Sequence, residues 1–319
     1  MRLIKPSFQI IEPTGYTIDD IYKSIELAGR VSHKSEDRIT EDSAKTFVER
    51  MMKMKHLSTC EFGTVYLAIP TTGFSPKTMN TYLDNPYSKV NKCNEFIFTD
   101  KYGDKVSAWC ITTNLRVLIE NNCLEDLEFL CEPTEYHHKR YTVKFICDRG
   151  ILAEFTRHRR FSFMAESTRY CNYSKGKFNN ELTFIIPEWL DIEEGHHKYD
   201  CSFVDQKWMG PNNTEVSYQW LDTNGLVWYP DTDEHLFLKS LSDSEEIYFK
   251  LLEQGWKPQQ ARAVLPSALK TELYMCGFAE DWKKFFELRC ASNAHPQARE
   301  LAIPLHEEFK NKNYVLHNS

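Results

Sequence analysis

Glycine is scarce in this chain, with 12 among 319 residues, and neither GxGxxG nor GxxxxGK[ST] occurs. The backbone cradles of dinucleotide-binding and P-loop proteins are therefore missing, so any nucleotide must be held mainly by side chains. No run reaches the roughly eighteen apolar residues of a membrane-spanning helix. The opening MRLIKPSFQIIEPTGY is broken by Lys5, Pro6, Glu12 and Pro13, which is unlike a signal peptide. A soluble, cytoplasmic protein without membrane association is expected. The ten cysteines form no CxxC pair, which argues against a zinc ribbon or a thioredoxin-type site and for free thiols in a reducing compartment. His137–His138 and His196–His197 are adjacent pairs that point opposite ways in a strand. No carboxylate or cysteine spacing completes a ligand set around them, so no metal is expected.

What is present is a local inversion of charge. The chain carries a net charge of -7, yet RHRRFSFMAESTRYCNYSK at 157–175 gathers Arg157, His158, Arg159, Arg160 and Arg169. Ser162, Glu166, Ser167, Thr168 and Tyr170 are interleaved with them. Guanidinium forks match phosphate oxygens and hydroxyls complete the cage, so the stretch points to an anionic partner with a polar ring. A solvated helix face is the plainer reading of such a run. Context counts against it: YTVKFICD reads as a strand, turns at Asp148, Arg149 and Gly150, and continues into a helix over 151–156 that delivers the arginines from a core element. An arginine- and tyrosine-rich nucleic-acid platform is a competing reading, but the overall acidity and the lack of a second basic patch oppose it.

Elsewhere the pattern is that of a packed globular chain, 41% hydrophobic and without a Gly/Ser linker, which favours one domain over 1–319. Thr17, with Asp20 three residues on, caps a helix carrying Ile18, Ile21, Ile25 and Ala28 on one face. A second helix is expected over 42–55, then a strand in FGTVYLAI, and a helix over 107–121. Residues 71–135 and 188–240 read as elaborations. A capped helix starts at Asp243 and ends at Gly255. SALKTELYMCGF is followed by the helix EDWKKFFELRCAS, and Pro296 opens a last helix that Pro304 is expected to kink.

Arg157, His158 and Arg159, then Ser162, then Ser167, Thr168 and Arg169 have the spacing of the RHR and S-x-R blocks of the flavin-dependent thymidylate synthases, the ThyX family, and this chain resembles that family. AGRVS at 28–32, His56, Ser58 and Glu61 in HLSTCEF, Arg262 in QQARAVLP and Arg289 in FFELRCAS resemble its other blocks. The resemblance implies an α+β fold with a twisted, mainly antiparallel sheet flanked by helices, a non-Rossmann flavoprotein carrying the insertions above. It also implies a homotetramer with shared active sites that methylates dUMP at C5 to dTMP, with methylenetetrahydrofolate as cosubstrate and FAD reduced by NADPH. No nucleic-acid partner is implied.

On that resemblance, Ser58, Glu61, Arg157, His158, Arg159 and Lys284 would bind the cofactor, the positive charge of the RHR block stabilising the reduced anionic flavin. Glu154, Arg157, Glu166, Ser167, Thr168, Arg169, Arg262 and Arg289 would bind substrate, with Arg289 the catalytic cation at the uracil edge. Ser167 is assigned to binding, since no base lies near it in sequence. Phe278 and Lys284 stand where the family commonly has polar residues, and Met164 or Ala165 where it often has Asn or Gln. These departures keep open an alternative, flavin-dependent C5 modification of another pyrimidine nucleotide. A relative that keeps the fold without the chemistry is a further alternative.

Overall fold

The computed structural model describes residues 1–71, 76–99, 103–197, 220–221, 227–228 and 232–314. The chain opens with strands β1 (Arg2–Ile4) and β2 (Ser7–Ile11). Helix α1 (Ile18–Arg30) begins at the expected capping box: the Asp20 N–H donates to the Thr17 hydroxyl at 3.3 Å and the Thr17 N–H to the Asp20 carboxylate at 3.1 Å. Two orphan donors of the first turn are satisfied reciprocally. Helix α2 (Ser43–Lys53) turns Ala44, Phe47 and Val48 inward, and a 3-10 turn over Leu57–Phe62 leads to β3 (Thr64–Pro70). Next come α3 (Pro76–Leu83), β4 (Lys89–Thr99), β5 (Lys105–Asn114) and α4 (Leu115–Glu120).

The helix expected over 107–121 is thus a strand for most of its length. Residues 110–114 of β5 are all buried. A strand covered on both faces shows no two-residue alternation, and the apolar residues 108–111 followed by the apolar face of α4 mimic one continuous helix.

The middle of the chain matches expectation more closely. Strand β6 (Arg140–Asp148) runs straight into α5 (Arg149–Phe155), without the intervening turn expected at 148–150, and β7 (Ser162–Ala165) follows. Short strands β8 (Thr183–Ile185), β9 (Gly195–His196), β10 (Trp220–Leu221) and β11 (Val227–Trp228) precede α6 (Asp233–Glu253). This helix starts well ahead of Asp243: Thr232 caps it by accepting the His235 N–H at 3.2 Å. The residues YPDTD that read as a loop are in part the cap. It ends at Gly255, whose φ of 91° is easily reached only without a Cβ. Last come α7 (Pro258–Ala261), β12 (Lys270–Phe278), α8 (Ala279–Arg289) and α9 (Pro296–Asn311). Helix α9 continues through Pro304, which cannot donate to the Glu300 carbonyl.

The fold is a mixture of helices and sheet, and its paired strands are mainly antiparallel. The pairing of β1 with β8 is parallel. Contacts divide the chain into two compact units: a smaller one of residues 1–6, 147–150 and 168–270, and a larger one of 7–146, 151–167 and 271–319. The chain passes between them repeatedly, and β6 and β12 run through the boundary. That interleaving is why no linker composition marks a division.

In the smaller unit, β8-β1-β9 carries Leu3, Phe184 and Ile186 into a core shared with Tyr173, Leu241 and Tyr248. Residues 198–219, 222–226 and 229–231 of the second expected elaboration lie outside the described residues. In the larger unit, a sheet of order β2-β6-β12-β7 is joined by a second, β3-β5-β4. The first expected elaboration therefore supplies two strands of a sheet, pairing on β3 over Thr64–Pro70. Ala28, Val31, Phe62, Tyr274 and Cys276 pack together where α1 meets β12, with Met164 against them. Phe145 of β6 meets an aromatic cluster of α8, with Trp282 at 6.4 Å and Phe285 at 6.3 Å. Full burial of each such ring contributes about 2–3 kcal/mol, so this cluster is a firm footing for whatever is attached to it.

Candidate active site

The arginine run sits on that aromatic footing. Phe155, the last residue of α5, packs its ring 5.1 Å from Phe145 and 5.0 Å from Phe285. Phe161 lies 4.8 Å from Trp282. Between these two anchors the chain makes a tight turn, with the Phe161 N–H bonded to the His158 carbonyl at 3.0 Å. Gly277 on β12 makes room for it, since a Cβ there would come within 2.4 Å of the Phe161 ring. Pinned at both ends, the turn leaves Arg157, Arg159 and Arg160 exposed. Among the described residues neither Arg157 nor Arg159 makes an ion pair.

Arg289, the last residue of α8, is held from three sides. Its Nη1 donates to Glu154 Oε2 at 2.6 Å, its Nη2 to the Glu154 carbonyl at 2.7 Å, and its Nε to His158 Nε2 at 3.0 Å. The two sequence-nominated groups Glu154 and Arg289, far apart in the chain, are thus brought together, and His158 with them. Three of five guanidinium N–H groups are used, which fixes the plane and leaves two donors.

His158 accepts from Arg289 and is therefore a neutral imidazole. Burial lowers its pKa and the Arg289 charge lowers it further, to about 4. The positive charge of the RHR block at neutral pH therefore resides on Arg157 and Arg159. The imidazole is instead a spacer, 5.1 Å from the Phe285 ring, between the arginine turn and the Arg289 guanidinium.

The other nominated residues of the larger unit are spread more widely. Glu166 is buried and its N–H bonds the Glu272 carbonyl at 2.9 Å, while the Ser167 N–H bonds the Ser32 carbonyl at 3.2 Å. Ser58 is exposed on its 3-10 turn. Glu61 is buried and its carboxylate takes Arg116 at 2.5 Å. That oxygen is thus committed inside the chain. Lys284 is exposed on α8. Phe278 is buried at the start of α8, with the guanidinium of Arg140 5.5 Å and the ammonium of Lys89 5.9 Å from its ring. Packing occupies this position. Beside it Glu280 bonds His138 Nδ1 at 2.5 Å; burial raises the Glu280 pKa, and the His138 bond and nearby Lys89 outweigh that and lower it.

Sequence reasoning passed over Arg140. It opens β6 and is buried, with Nη1 donating to the Glu61 carbonyl and the Thr64 hydroxyl, each at 3.1 Å. Its Nη2 donates to the Ser162 hydroxyl at 3.4 Å. A basic residue at the first position of a strand that feeds the arginine turn was the available signal.

In the smaller unit, Thr168 is buried and its hydroxyl accepts from Arg262 Nη1 at 3.3 Å. The two were nominated from blocks well separated in sequence. Arg169 is exposed, its guanidinium 5.2 Å from the Tyr170 ring. Among the described residues no group of three His, Cys, Asp or Glu could hold a metal, and no described helix is long and apolar enough to cross a membrane.

The geometry defines an α+β protein with an exposed arginine turn and a clamped arginine behind it. The chain belongs to the family described as thymidylate synthase complementing protein, which matches residues 132–313, more than half its length. The N-terminal segments around Ser32, Ser58 and Glu61 lie outside that match. A probable flavin-dependent thymidylate synthase of Paramecium bursaria Chlorella virus 1 is 27% identical over 168 residues, covering 53% of this chain and 65% of that protein. The flavin-dependent thymidylate synthase of Thermosipho melanesiensis is 36% identical over 179 residues, 56% of this chain and 66% of that one. The chain spans just under two thirds of the length of each of these relatives. A solved UMP/dUMP methylase, PolB from Streptomyces cacaoi, aligns over 98% of this chain and 93% of its own at 15% identity, with a TM-score of 0.38. That likeness is too loose to argue from.

Proposed function

We propose that this protein is a flavin-dependent thymidylate synthase that methylates dUMP at C5 to dTMP, with methylenetetrahydrofolate as one-carbon donor. The observation that carries the reading is the arginine turn, inside the family-matched stretch. Arg157 and Arg159 stand exposed without an ion pair among the described residues, and Arg289 is clamped against His158 between them. Uncompensated guanidinium groups on a rigid footing suit an anionic ligand, and a flavin nucleotide fits that description.

FAD, when bound, would supply the hydride, NADPH restoring it. Arg157, His158 and Arg159, with Ser58, Lys284 and the edge formed by Glu61, would hold it, and the two arginine charges would favour its anionic reduced form. His158, neutral, would position Arg289. Arg289 would aim its two remaining N–H groups at the pyrimidine edge, where a preorganised positive charge favours the charge that develops during attack from C5. Glu154 would fix that aim, while Glu166 and Ser167 would offer polar contacts to the pyrimidine. Thr168, Arg169 and Arg262 would take the phosphate. In a cytoplasmic homotetramer with shared active sites, these sets need not come from the same copy of the chain.

The test is direct. Purified protein should take up FAD, show a flavin spectrum that shifts on adding dUMP, and form dTMP in a reaction needing NADPH and methylenetetrahydrofolate. Colourless protein with no FAD uptake and no dTMP would end the proposal. Turnover of UMP or dCMP in place of dUMP, assayed side by side, would transfer the chemistry to another pyrimidine.

A further inference from the structure

The larger unit encloses a cavity of about 330 Å³ beneath α1. Its roof is the inner face of α1, including Ser24 and Ala28, and its floor includes Arg140, Thr142 and Tyr274 of β6 and β12. Glu154, Arg157, His158, Arg159 and Arg289 take no part in the wall. We propose that this cavity is a second binding site, for a planar aromatic anion of one or two fused rings.

Three properties of the wall lead there. The first is size: small-molecule pockets start at about 300 Å³, and an empty apolar cavity that accepts benzene is about 150 Å³, so a bicyclic ring fits and a dinucleotide does not. The second is aromatic lining. Tyr16 meets Tyr66 edge-on at 5.7 Å, and Tyr141 stacks on Tyr314 at 4.2 Å. These rings and Tyr274 bound a slot in which another flat ring finds faces and edges.

The third is charge. Arg140 is nine-tenths buried, and the acceptors named above are a carbonyl and two hydroxyls, all neutral. Its Nε is buried with no hydrogen-bond partner, and no carboxylate among the described residues pairs with it. Lys139, also in the wall, donates to the Thr134 carbonyl at 3.2 Å, again a neutral partner. The carboxylate in the wall, Glu12, is already bonded to Lys312 at 2.8 Å and to the Tyr314 hydroxyl. Two cations without an acid among the described residues therefore face one acid that has its own cation. Buried charge is costly until it is paired, and an anion entering the cavity would pair it. Ser24, Thr64 and Thr142 add hydroxyls, so the space is not the dry apolar void that stays empty in protein cores.

The experiment uses the full chain with 2-naphthoate as probe and 2-naphthalenemethanol as its neutral counterpart, titrated calorimetrically with and without FAD. Naphthoate is expected to bind one per chain, roughly tenfold or more tighter than the alcohol, as loss of one charge-assisted contact implies. FAD should not compete. Ser24→Phe, which fills the cavity from its roof, should abolish binding. Lys139→Met, which leaves Arg140 in place, should reduce the difference between acid and alcohol without abolishing it, and it reads the charge argument should the Ser24 variant fail to fold. Equal affinity of the two probes, no binding at about millimolar concentration, undiminished binding to folded Ser24→Phe, or displacement by FAD would each overturn the proposal.

Discussion

Replacing Arg289 with Met tests the clamp on two independent scales. The substitution removes one charge-assisted bond to the Glu154 carboxylate, one bond to its carbonyl and one to His158. Neutral bonds contribute about 0.5–1.5 kcal/mol each and bonds to charged groups about 1.5–3. The Arg289 side chain is 17% exposed and that of Glu154 35%, so solvent screening brings the ionic contact to about 1 kcal/mol. The sum is a loss of about 2–4 kcal/mol, read by urea unfolding at pH 7.5. The second scale is the His158 titration. Burial, the larger cause of its low pKa, persists in the variant, and the Arg289 charge does not. The pKa should rise from about 4 while staying below the ordinary 6.5. A histidine with a depressed folded pKa contributes stability that is present above 6.5 and lost as pH falls towards 4, because the unfolded chain takes the proton first. The variant loses less on that descent, so the stability gap between the two proteins should narrow from pH 7 to pH 5. A gap below about 0.5 kcal/mol at pH 7.5, or an imidazole resonance of His158 that titrates identically in both proteins by NMR, would refute the clamp.

Three further outcomes follow from the packing and the proposed chemistry. Gly277→Ala should cost about 1–3 kcal/mol in thermal or urea unfolding, because the new methyl meets the Phe161 ring at 2.4 Å; an unchanged melting point would show that the arginine turn is not pinned there. Tyr82→Phe should cost about 1–3 kcal/mol, since the hydroxyl donates to the buried Asp126 carboxylate at 2.5 Å and its loss strands that group. Arg262→Ala should weaken dUMP binding roughly tenfold by calorimetry, and equal affinity would remove Arg262 from the phosphate site.

The parts of the fold that were legible in the sequence are those with a local cause. The capping box of Thr17 and Asp20 announced α1, and the wide aromatic stripe of Trp282, Phe285 and Phe286 announced α8. Strand β5 was not legible because residues 110–114 are buried on both faces and carry no alternation. The early start of α6 was hidden in YPDTD, where the same residues serve turns and caps. At the site, motif spacing named Glu154, His158 and Arg289, but the bonds among them join residues 131 and 135 positions apart and leave no local mark. Arg140 was missed for a related reason: its acceptors lie in two other stretches, a carbonyl and a hydroxyl within 61–64 and the hydroxyl of Ser162, and only its place at the start of β6 marks it in the sequence.

The interleaving of the two units has a consequence for synthesis. Strand β1 at residues 2–4 pairs with β8 at 183–185, and the aromatic cover of β6 comes from α8 at 279–289. On the ribosome neither unit can close in order of emergence, since each waits for a segment made much later. Early strands must remain unpaired edges meanwhile, and contacts so distant in sequence make closure slow. The chain therefore offers no cassette: cutting at a boundary between the units should yield two insoluble pieces, and recovery of the fold should require co-expressing both so that each supplies the other's missing strand.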